Sequence, residues 1–248
     1  MWVDVSSPDL GKSNAFYTGL FGWDAQQVPD PGAGGYTIYF LDGKMVAAAG
    51  PTFQPDQHPA WATYLCTDNA DATAQAVKQA GGQVLMGPED VMGQGRMAVM
   101  VDPTGAIVSA WQPQIHRGAQ VVNEAGSFCW NELYTRDVPA AQDFYRKAFG
   151  WEIETTELPG DGGEYTLFKV DGRTVAGGMD MSSFLPQSIP PHWLVYFTVE
   201  NTDDTIAKVK ELGGTILAGP NPTPMGPMAV IEDPVGAAFA VIQITPQS

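Results

Sequence analysis

The stretch "FYTGLFGW", from Phe16 to Trp23, decides the fold because the chain uses it twice. It returns as "FYRKAFGW" from Phe144 to Trp151, at an offset of 128 residues. Similarity at a fixed long period is the sequence signature of duplicated structural units. The 248-residue chain is therefore predicted to consist of two homologous halves. Three more motifs return in the same order, at offsets of 129 to 132 residues: "DGK" at Asp42 as "DGR" at Asp171, "AGGQVLMGP" at Ala80 as "LGGTILAGP" at Leu212, and "DPTG" at Asp102 as "DPVG" at Asp233.

A polar segment separates the two halves. It reads "QPQIHRGAQVVNEAGS" and runs from Gln112 to Ser127. We predict a first domain over residues 1–112, a linker over 113–127 and a second domain over 128–248. Each half is long enough to bury a hydrophobic core of its own.

Both halves show the same order of predicted elements. A strand leads into a helix that an aspartate caps and a glycine ends, and three short strands follow, separated by "PGAGG" or "PGDGG" and by an Asp-Gly turn. The pattern then restarts with a strand, a helix of period near 3.6 and three more strands. The chain is thus predicted to be an α+β protein of four βαβββ units. The matching positions are strands at 2–6 and 130–134, caps at Asp9 and Asp137, and helix ends at Gly22 and Gly150.

Composition and charge narrow the class of protein. Lys and Arg total 12 against 28 Asp and Glu, which gives a formal net charge of -16. Such a surface repels phosphate, so nucleic acids and anionic membranes are not expected partners. The N-terminal "MWVDVSSPDLGK" has no signal-peptide pattern, and no apolar run approaches the roughly 18 residues of a membrane span, so we expect a cytoplasmic protein. The two cysteines, Cys66 and Cys129, are expected to be buried free thiols.

Four βαβββ units, with "FYxxxFGW" on the first helix of each half and "DPxG" before each last strand, resemble the vicinal-oxygen-chelate (VOC) superfamily. That superfamily includes glyoxalase I, bleomycin-resistance and fosfomycin-resistance proteins, and extradiol dioxygenases. The resemblance spans nearly the whole chain. It implies two glyoxalase-like domains, each a cupped mixed sheet, or incomplete barrel, with helices outside. It leaves the chemistry open, because one fold hosts many functions.

The resemblance also implies where a metal would bind. Metal-dependent members carry His or Glu on the first strand of each unit pair, His on the restarted strand, and carboxylates on the closing strands. A zinc or iron site needs three or four converging His, Cys or carboxylate ligands. None of the residues at the corresponding positions of this chain is a useful metal ligand. We therefore predict no metal and no cofactor, and no metal-dependent glyoxalase or dioxygenase activity. The corresponding positions are Trp2, Ala62, Ser109, Trp130, Leu194 and Ala240.

Strand alternation predicts which side chains share the cup face with those positions. The face combines aromatic rings with small residues, as ligand pockets commonly do, although tryptophans that simply fill the barrel would give the same pattern. Two proline-rich connectors, residues 51–60 and 179–191, are candidates for lids over the cups or for ordinary surface loops. The predicted ligand-binding residues are Trp2, Asp4, Phe53, Tyr64, Ser109, Trp111, Trp130, Glu132, Tyr134, Phe184, Tyr196 and Ala240.

Two of these residues are carboxylates. Asp4 and Glu132 are candidates for a general base or for orienting a ligand; the alternative is a hydrogen bond to Tyr, Thr or a backbone amide. No nucleophile and base occur in a catalytic order. The histidines His58, His116 and His192 are predicted to lie at the surface, in loops or linkers.

Three functions follow from this pattern. The first is a metal-independent small-molecule binding protein of the bleomycin-resistance type, which sequesters or carries an apolar or aromatic compound such as an antibiotic or a natural-product metabolite. The second is a metal-free glyoxalase-like enzyme, for example a lyase, cyclase or hydroxylase-like catalyst, with Asp4 or Glu132 as base and Tyr64, Tyr134 or Tyr196 as proton donor. The third is an interaction module whose cups are filled. The duplication is compatible with a monomer or a homodimer.

Overall fold

The computed structural model of the protein describes residues 1–158 and 163–245. Residues 159–162, most of the predicted "PGDGG" turn, lie outside this range. The first half contains β1 (Trp2–Ser7), α1 (Leu10–Phe21), β2 (Asp24–Gln27), β3 (Thr37–Leu41), β4 (Lys44–Pro51), β5 (Ala60–Cys66), α2 (Ala70–Gln79), β6 (Gln83–Asp90), β7 (Gly95–Val101) and β8 (Ile107–Pro113). The second half contains β9 (Phe128–Thr135), α3 (Val138–Phe149), β10 (Glu152–Glu157), β11 (Glu164–Val170), β12 (Arg173–Asp180), β13 (His192–Thr198), α4 (Thr202–Glu211), β14 (Thr215–Asn221), β15 (Met228–Glu232) and β16 (Ala238–Ile242).

The strands form two mixed sheets of eight strands. One has the order β2-β3-β4-β1-β5-β8-β7-β6, and the other β10-β11-β12-β9-β13-β16-β15-β14. Each unit pairs its first strand in parallel with its last, as β1 with β4, β5 with β8, β9 with β12 and β13 with β16. The described residues close neither sheet into a barrel. The predicted α+β class and the four βαβββ units are confirmed.

The helices begin and end where the sequence predicts. The Asp9 side chain accepts a hydrogen bond from the Lys12 amide at the start of α1, and the Asp137 side chain accepts one from the Ala140 amide at the start of α3. These carboxylates satisfy amides that have no partner inside the helix. Both helices end at a glycine in the left-handed region, with φ of 71° at Gly22 and 69° at Gly150. None of the helices in the described chain is long and apolar enough to cross a membrane.

Tertiary contacts group the chain into two compact bodies, each with one βαβββ unit from each half. The β9 body contains Met1, Thr63–Arg117 and Trp130–Leu194. The β1 body contains Trp2–Ala62, Gly118–Cys129 and residues 195–245. The two sheets follow the halves of the sequence, and the division into domains at residues 112 and 128 stays a prediction.

In the β9 body, Tyr145 of the second "FYxxxFGW" motif lies at the centre of an aromatic core. Its ring stacks on Trp151 at 5.4 Å and meets the edge of Trp193 at 5.4 Å. Its hydroxyl receives the Trp193 Nε1–H across 2.8 Å and donates to Asp102 Oδ2 across 3.0 Å. Burial, and then the charge of Asp102, hold the pKa of Tyr145 well above its usual value. The second "FYxxxFGW" motif therefore serves core packing and hydrogen bonding.

The β1 body repeats this arrangement with the other copies of the same motifs. Tyr17 receives the Trp61 Nε1–H across 2.9 Å and donates to Asp233 Oδ2 across 2.9 Å. Burial and the Asp233 charge raise the pKa of Tyr17 as well. In both bodies a tyrosine from one half thus bonds the "DPxG" aspartate of the other half.

The aspartate of the "DPxG" turn also organises its own loop. Asp102 Oδ1 accepts hydrogen bonds from the amides of Thr104, Gly105 and Ala106 and from the Thr104 hydroxyl, at 2.7 to 3.1 Å. Asp102 is only 2% exposed, so each of these bonds compensates for lost water. The repeated "DPxG" motif is a structural turn that starts the closing strand.

Candidate functional site

Three side chains on β1 and before β3 form a hydrogen-bonded triad in the β1 body. The Trp2 indole Nε1–H donates to Tyr36 Oη across 3.2 Å, and the Tyr36 hydroxyl donates to Asp4 Oδ2 across 2.9 Å. Trp2 and Asp4 share a face because they lie two apart on a strand. The sequence left two roles open for Asp4: a base or ligand-orienting group, or a hydrogen-bond acceptor from a tyrosine, a threonine or an amide. In the structure its carboxylate accepts a hydrogen bond from Tyr36.

The β9 body contains the equivalent triad. Trp130 Nε1–H donates to Tyr165 Oη across 3.1 Å, and the Tyr165 hydroxyl donates to Glu132 Oε1 across 2.6 Å. Glu132 is 7% exposed, whereas Trp130 and Tyr165 are half-buried. Burial, and then the charge of Glu132, raise the pKa of Tyr165, so the phenol keeps its proton. Each triad brings together an indole, a phenol and a carboxyl group.

The two tyrosines of the triads were missed from the sequence. Tyr36 directly follows the turn "PGAGG", and Tyr165 comes two residues after the last glycine of "PGDGG", at position 163. This similar spacing was a usable signal, since Tyr36 directly precedes β3 and Tyr165 is the second residue of β11, the second strand after the first helix of each half. Alternation within β1 or β9 does not reveal these tyrosines, because they lie outside those two strands.

A glycine makes room for the Tyr165 hydroxyl. Gly177 lies opposite Glu132 in the parallel pair β9–β12, and a Cβ at Gly177 would overlap Tyr165 Oη and lie 3.0 Å from Trp130 Nε1. In the first half, Ala48 lies opposite Asp4. The second triad therefore depends on a residue without a side chain at a place where the first half has a methyl group.

Three other predicted ligand-binding residues of the β9 body, Tyr64, Ser109 and Trp111, form a second group. Tyr64 lies beside Ser109 in the parallel pair β5–β8, and its ring meets the edge of Trp111 at 6.4 Å. Trp111 Nε1–H donates to the backbone oxygen of His116 across 2.8 Å. Trp111 also covers Gly95, where any side chain would collide with the indole. Packing within the β7–β8 hairpin and the linker therefore fixes this tryptophan.

Tyr134 lies under the second proline-rich connector. Its ring contacts the edges of Phe184 at 5.5 Å and His192 at 5.4 Å. The Arg136 guanidinium donates to the backbone oxygens of Pro186 and Ile189, both across 2.8 Å, and so ties the connector to the end of β9. Phe184 is nevertheless 47% exposed.

The β1 body contains the remaining predicted residues. Tyr196 lies beside Ala240 in the parallel pair β13–β16. The Tyr196 backbone oxygen accepts a hydrogen bond from the Cys129 thiol across 3.5 Å. Phe53 on the first connector is 69% exposed. The two connectors thus differ: an aromatic ring of the second one packs on Tyr134, whereas Phe53 extends into solvent.

Three sequence predictions are wrong in detail. His192 is the first residue of β13 and is half-buried, and His116 is half-buried against the Trp111 ring at 5.6 Å. Burial lowers the pKa of both imidazoles. Cys66, predicted to be buried, is exposed at the end of β5. Loop composition misled the histidine prediction, because a ring in or beside a loop can pack on a neighbouring aromatic residue.

The donor set does not fit a metal ion. Within residues 1–158 and 163–245, no group of three or more His, Cys, Asp or Glu side chains is arranged to hold one. The positions that hold metal ligands in the resembled enzymes carry indole, aliphatic or hydroxyl side chains, and Ser109 is 2% exposed.

Two surface hollows of the β1 body lie away from these residues. One of about 390 Å³ lies beside the first glycine-rich turn and is lined by residues 27–31, Gly34 and Gly35. The other, of about 300 Å³, is lined by the start of α4 and by Pro220–Thr223, among other residues. Neither hollow contains a predicted ligand-binding residue.

Two mixed sheets built from four βαβββ units, with a Trp–Tyr–carboxylate triad in each half, define a tandem α+β protein of the glyoxalase-like class. The family model described as the Glyoxalase/Bleomycin resistance protein/Dioxygenase superfamily matches residues 2–109 and 121–241, and the chain belongs to this superfamily. The resemblance found in the sequence is thereby confirmed.

Relatives and solved structures agree with this assignment. The chain is 42% identical over 257 residues to the anthracycline biosynthesis protein DnrV of Streptomyces peucetius, covering 98% of this chain and 92% of DnrV. It is similar in fold to the 2,3-dioxygenase LapB of Pseudomonas sp. KL28, with TM-score 0.66 and 11% identity over 100% of this chain and 92% of LapB. The Mn(II)-bound glyoxalase of Novosphingobium aromaticivorans gives TM-score 0.63 and 15% identity over 99% and 84%. At such low identity the two structures establish the fold alone.

Proposed function

We propose that the protein binds an aromatic small molecule of the natural-product type without using a metal. The observation that carries this proposal is the duplicated Trp–Tyr–carboxylate triad. Aromatic rings favour stacking with a planar guest, and a few fixed polar groups set the orientation of a ligand in an otherwise apolar site. The similarity to an anthracycline biosynthesis protein supports a polycyclic aromatic compound as the ligand class.

The second triad is the better candidate for contact with the ligand. Trp130 is half-buried, whereas Trp2 is only 4% exposed. A half-buried indole retains surface for a ligand to cover. On the same face, Glu132 and Tyr165 already satisfy each other and need no ligand to compensate for their burial.

The test is a titration of tryptophan fluorescence with planar anthraquinones, after dialysis against EDTA. We expect saturable quenching in the wild type and binding at least about tenfold weaker in Trp130→Ala. The reason is that a few residues, tryptophan often among them, carry most of the binding energy of an interface. Leu217→Ala is the control, because this exposed residue of β14 lies outside the predicted ligand-binding residues. Absence of quenching by every member of the panel would exclude this ligand class.

A second candidate function is a metal-free enzyme that uses Glu132 as a general base. The observation in its favour is the short hydrogen bond of 2.6 Å between Tyr165 and Glu132, which joins a proton donor to a carboxylate. Glu132→Gln separates the two functions. A binding protein keeps most of its affinity in this variant, whereas an enzyme that depends on the base loses turnover by about two orders of magnitude or more.

The expected cellular context completes the proposal. The protein would be cytoplasmic, monomeric or homodimeric, and would sequester or carry the ligand. The formal charge of -16 supports a small molecule and not a nucleic acid as partner.

A further inference from the structure

The hydrogen-bonding capacity of Tyr165 restricts which ligand atoms can meet it. An indole N–H only donates, so Tyr165 Oη must accept from Trp130 across 3.1 Å. An ionised carboxylate only accepts, so the Tyr165 hydroxyl must donate its hydrogen to Glu132 Oε1 across 2.6 Å. Both directions are therefore fixed by the chemistry of the neighbours.

What remains on this oxygen is a capacity to accept. A phenolic oxygen has one hydrogen and two lone pairs, and the two triad bonds use the hydrogen and one lone pair. A ligand carbonyl or ether oxygen approaching it brings no hydrogen and gains no bond. A ligand hydroxyl or amine supplies the hydrogen that the second lone pair can take.

Gly177 holds the hydroxyl in this position. A Cβ at residue 177 would occupy the place of Tyr165 Oη, so the oxygen lies close to the β12 backbone, where it meets both partners. The burial of Tyr165 and the charge of Glu132 raise the pKa of the phenol, which therefore stays protonated and continues to donate to Glu132. Ligand binding does not have to reorient the group.

We propose that Tyr165 selects ligands that carry a hydroxyl or amino donor on the aromatic ring, by accepting that hydrogen, and discriminates against the matching ether and carbonyl compounds. The inference rests on the proposed function, since it concerns the polar part of the same ligand contact. Sites built to hydrogen-bond a substrate hydroxyl reject analogues that lack it much more strongly than apolar pockets distinguish shapes.

The experiment compares a monohydroxyanthraquinone, with its hydroxyl remote from the quinone oxygens, and its methyl ether. Affinities are measured by tryptophan quenching at about pH 6, below the usual pKa of such phenols. For the wild type we expect the hydroxyl compound to bind at least about tenfold more tightly, the effect of one hydrogen bond of average to good strength. In Tyr165→Phe this preference should vanish, while affinity for the methyl ether stays within about threefold of the wild type.

Two further variants keep the test decisive. Gly177→Ala should also remove the preference, because its methyl group displaces the hydroxyl without deleting it. Tyr39→Phe, which removes a tyrosine hydroxyl that donates to Asn14 Oδ1 and belongs to neither triad, should retain it. Equal binding of both compounds by the wild type, or a preference that persists in Tyr165→Phe, overturns the inference and leaves the proposed function standing. Binding of neither compound refutes the proposed function for this ligand class, and the inference with it.

Discussion

Tyr145 donates a hydrogen bond to Asp102 across 3.0 Å and thereby joins the first helix of the second half to a turn of the first half. Both groups are almost fully buried. The same bond recurs between Tyr17 and Asp233. The motifs that identify the repeat are thus also the groups that hold the halves together inside each body.

Removal of the Tyr145 hydroxyl should destabilise the protein. Tyr145→Phe leaves both Asp102 Oδ2 and the Trp193 indole N–H without this partner in a buried place, which costs about 1–3 kcal/mol per unsatisfied group. Urea denaturation measures the free energy of unfolding. Tyr17→Phe, the equivalent change in the β1 body, should lose a similar amount; variants as stable as the wild type would show that these bonds contribute nothing.

The two cysteines should react at very different rates. Cys66 is exposed, whereas burial raises the pKa of Cys129 to about 11. Because the thiolate is the reactive form, a thiol reagent near neutral pH should label Cys66 quickly and Cys129 slowly. Cys66→Ser should abolish the fast phase. Fast labelling of a single thiol in this variant would mean that Cys129 is accessible.

The same thiol adds a pH dependence to stability. The folded state holds the Cys129 proton up to about pH 11, while the unfolded thiol loses it near its ordinary value of 9.0. The unfolded state therefore binds fewer protons between these values, and the contribution of Cys129 to stability falls as the pH rises through this window. Cys129→Ala should show a smaller decrease of the urea midpoint between about pH 9 and 11; an unchanged decrease would assign it to other groups.

Loss of the Arg136 guanidinium should loosen the second connector. Its two hydrogen bonds to the Pro186 and Ile189 backbone oxygens hold residues 181–190 against β9. In Arg136→Ala we expect limited proteolysis to cut this segment several-fold faster, because segments with few fixed contacts open locally at low cost. Arg146→Ala, which removes an exposed arginine of α3, is the control. Equal cutting rates in both variants would contradict the role of Arg136.

Much of the fold was predictable from the sequence because its signals are local. Aspartate caps, glycine helix ends and the repeat itself each depend on a few neighbouring residues, and the structure confirms all of them. The site was less predictable. Trp2, Asp4, Trp130 and Glu132 lie on correctly predicted strands, but Tyr36 and Tyr165 reach them through pairing of distant strands, which alternation within one strand does not reveal.

The environments of single side chains were the hardest to predict. His192 packs on Tyr134 because the connector brings it there, and Cys66 is exposed because β5 ends at that residue. Both outcomes depend on where a neighbouring segment lies in three dimensions. Residue type alone gives the average behaviour of histidine and cysteine, and these two residues depart from it.

Metal-free binding of a planar aromatic compound at the second triad can be tested directly. The most direct measurement is the quenching of tryptophan fluorescence by an anthraquinone, in wild type and Trp130→Ala, with EDTA present and absent. We expect saturable binding that EDTA leaves unchanged and that Trp130→Ala weakens at least about tenfold. Binding that disappears with EDTA, or that is the same in Trp130→Ala, would contradict it.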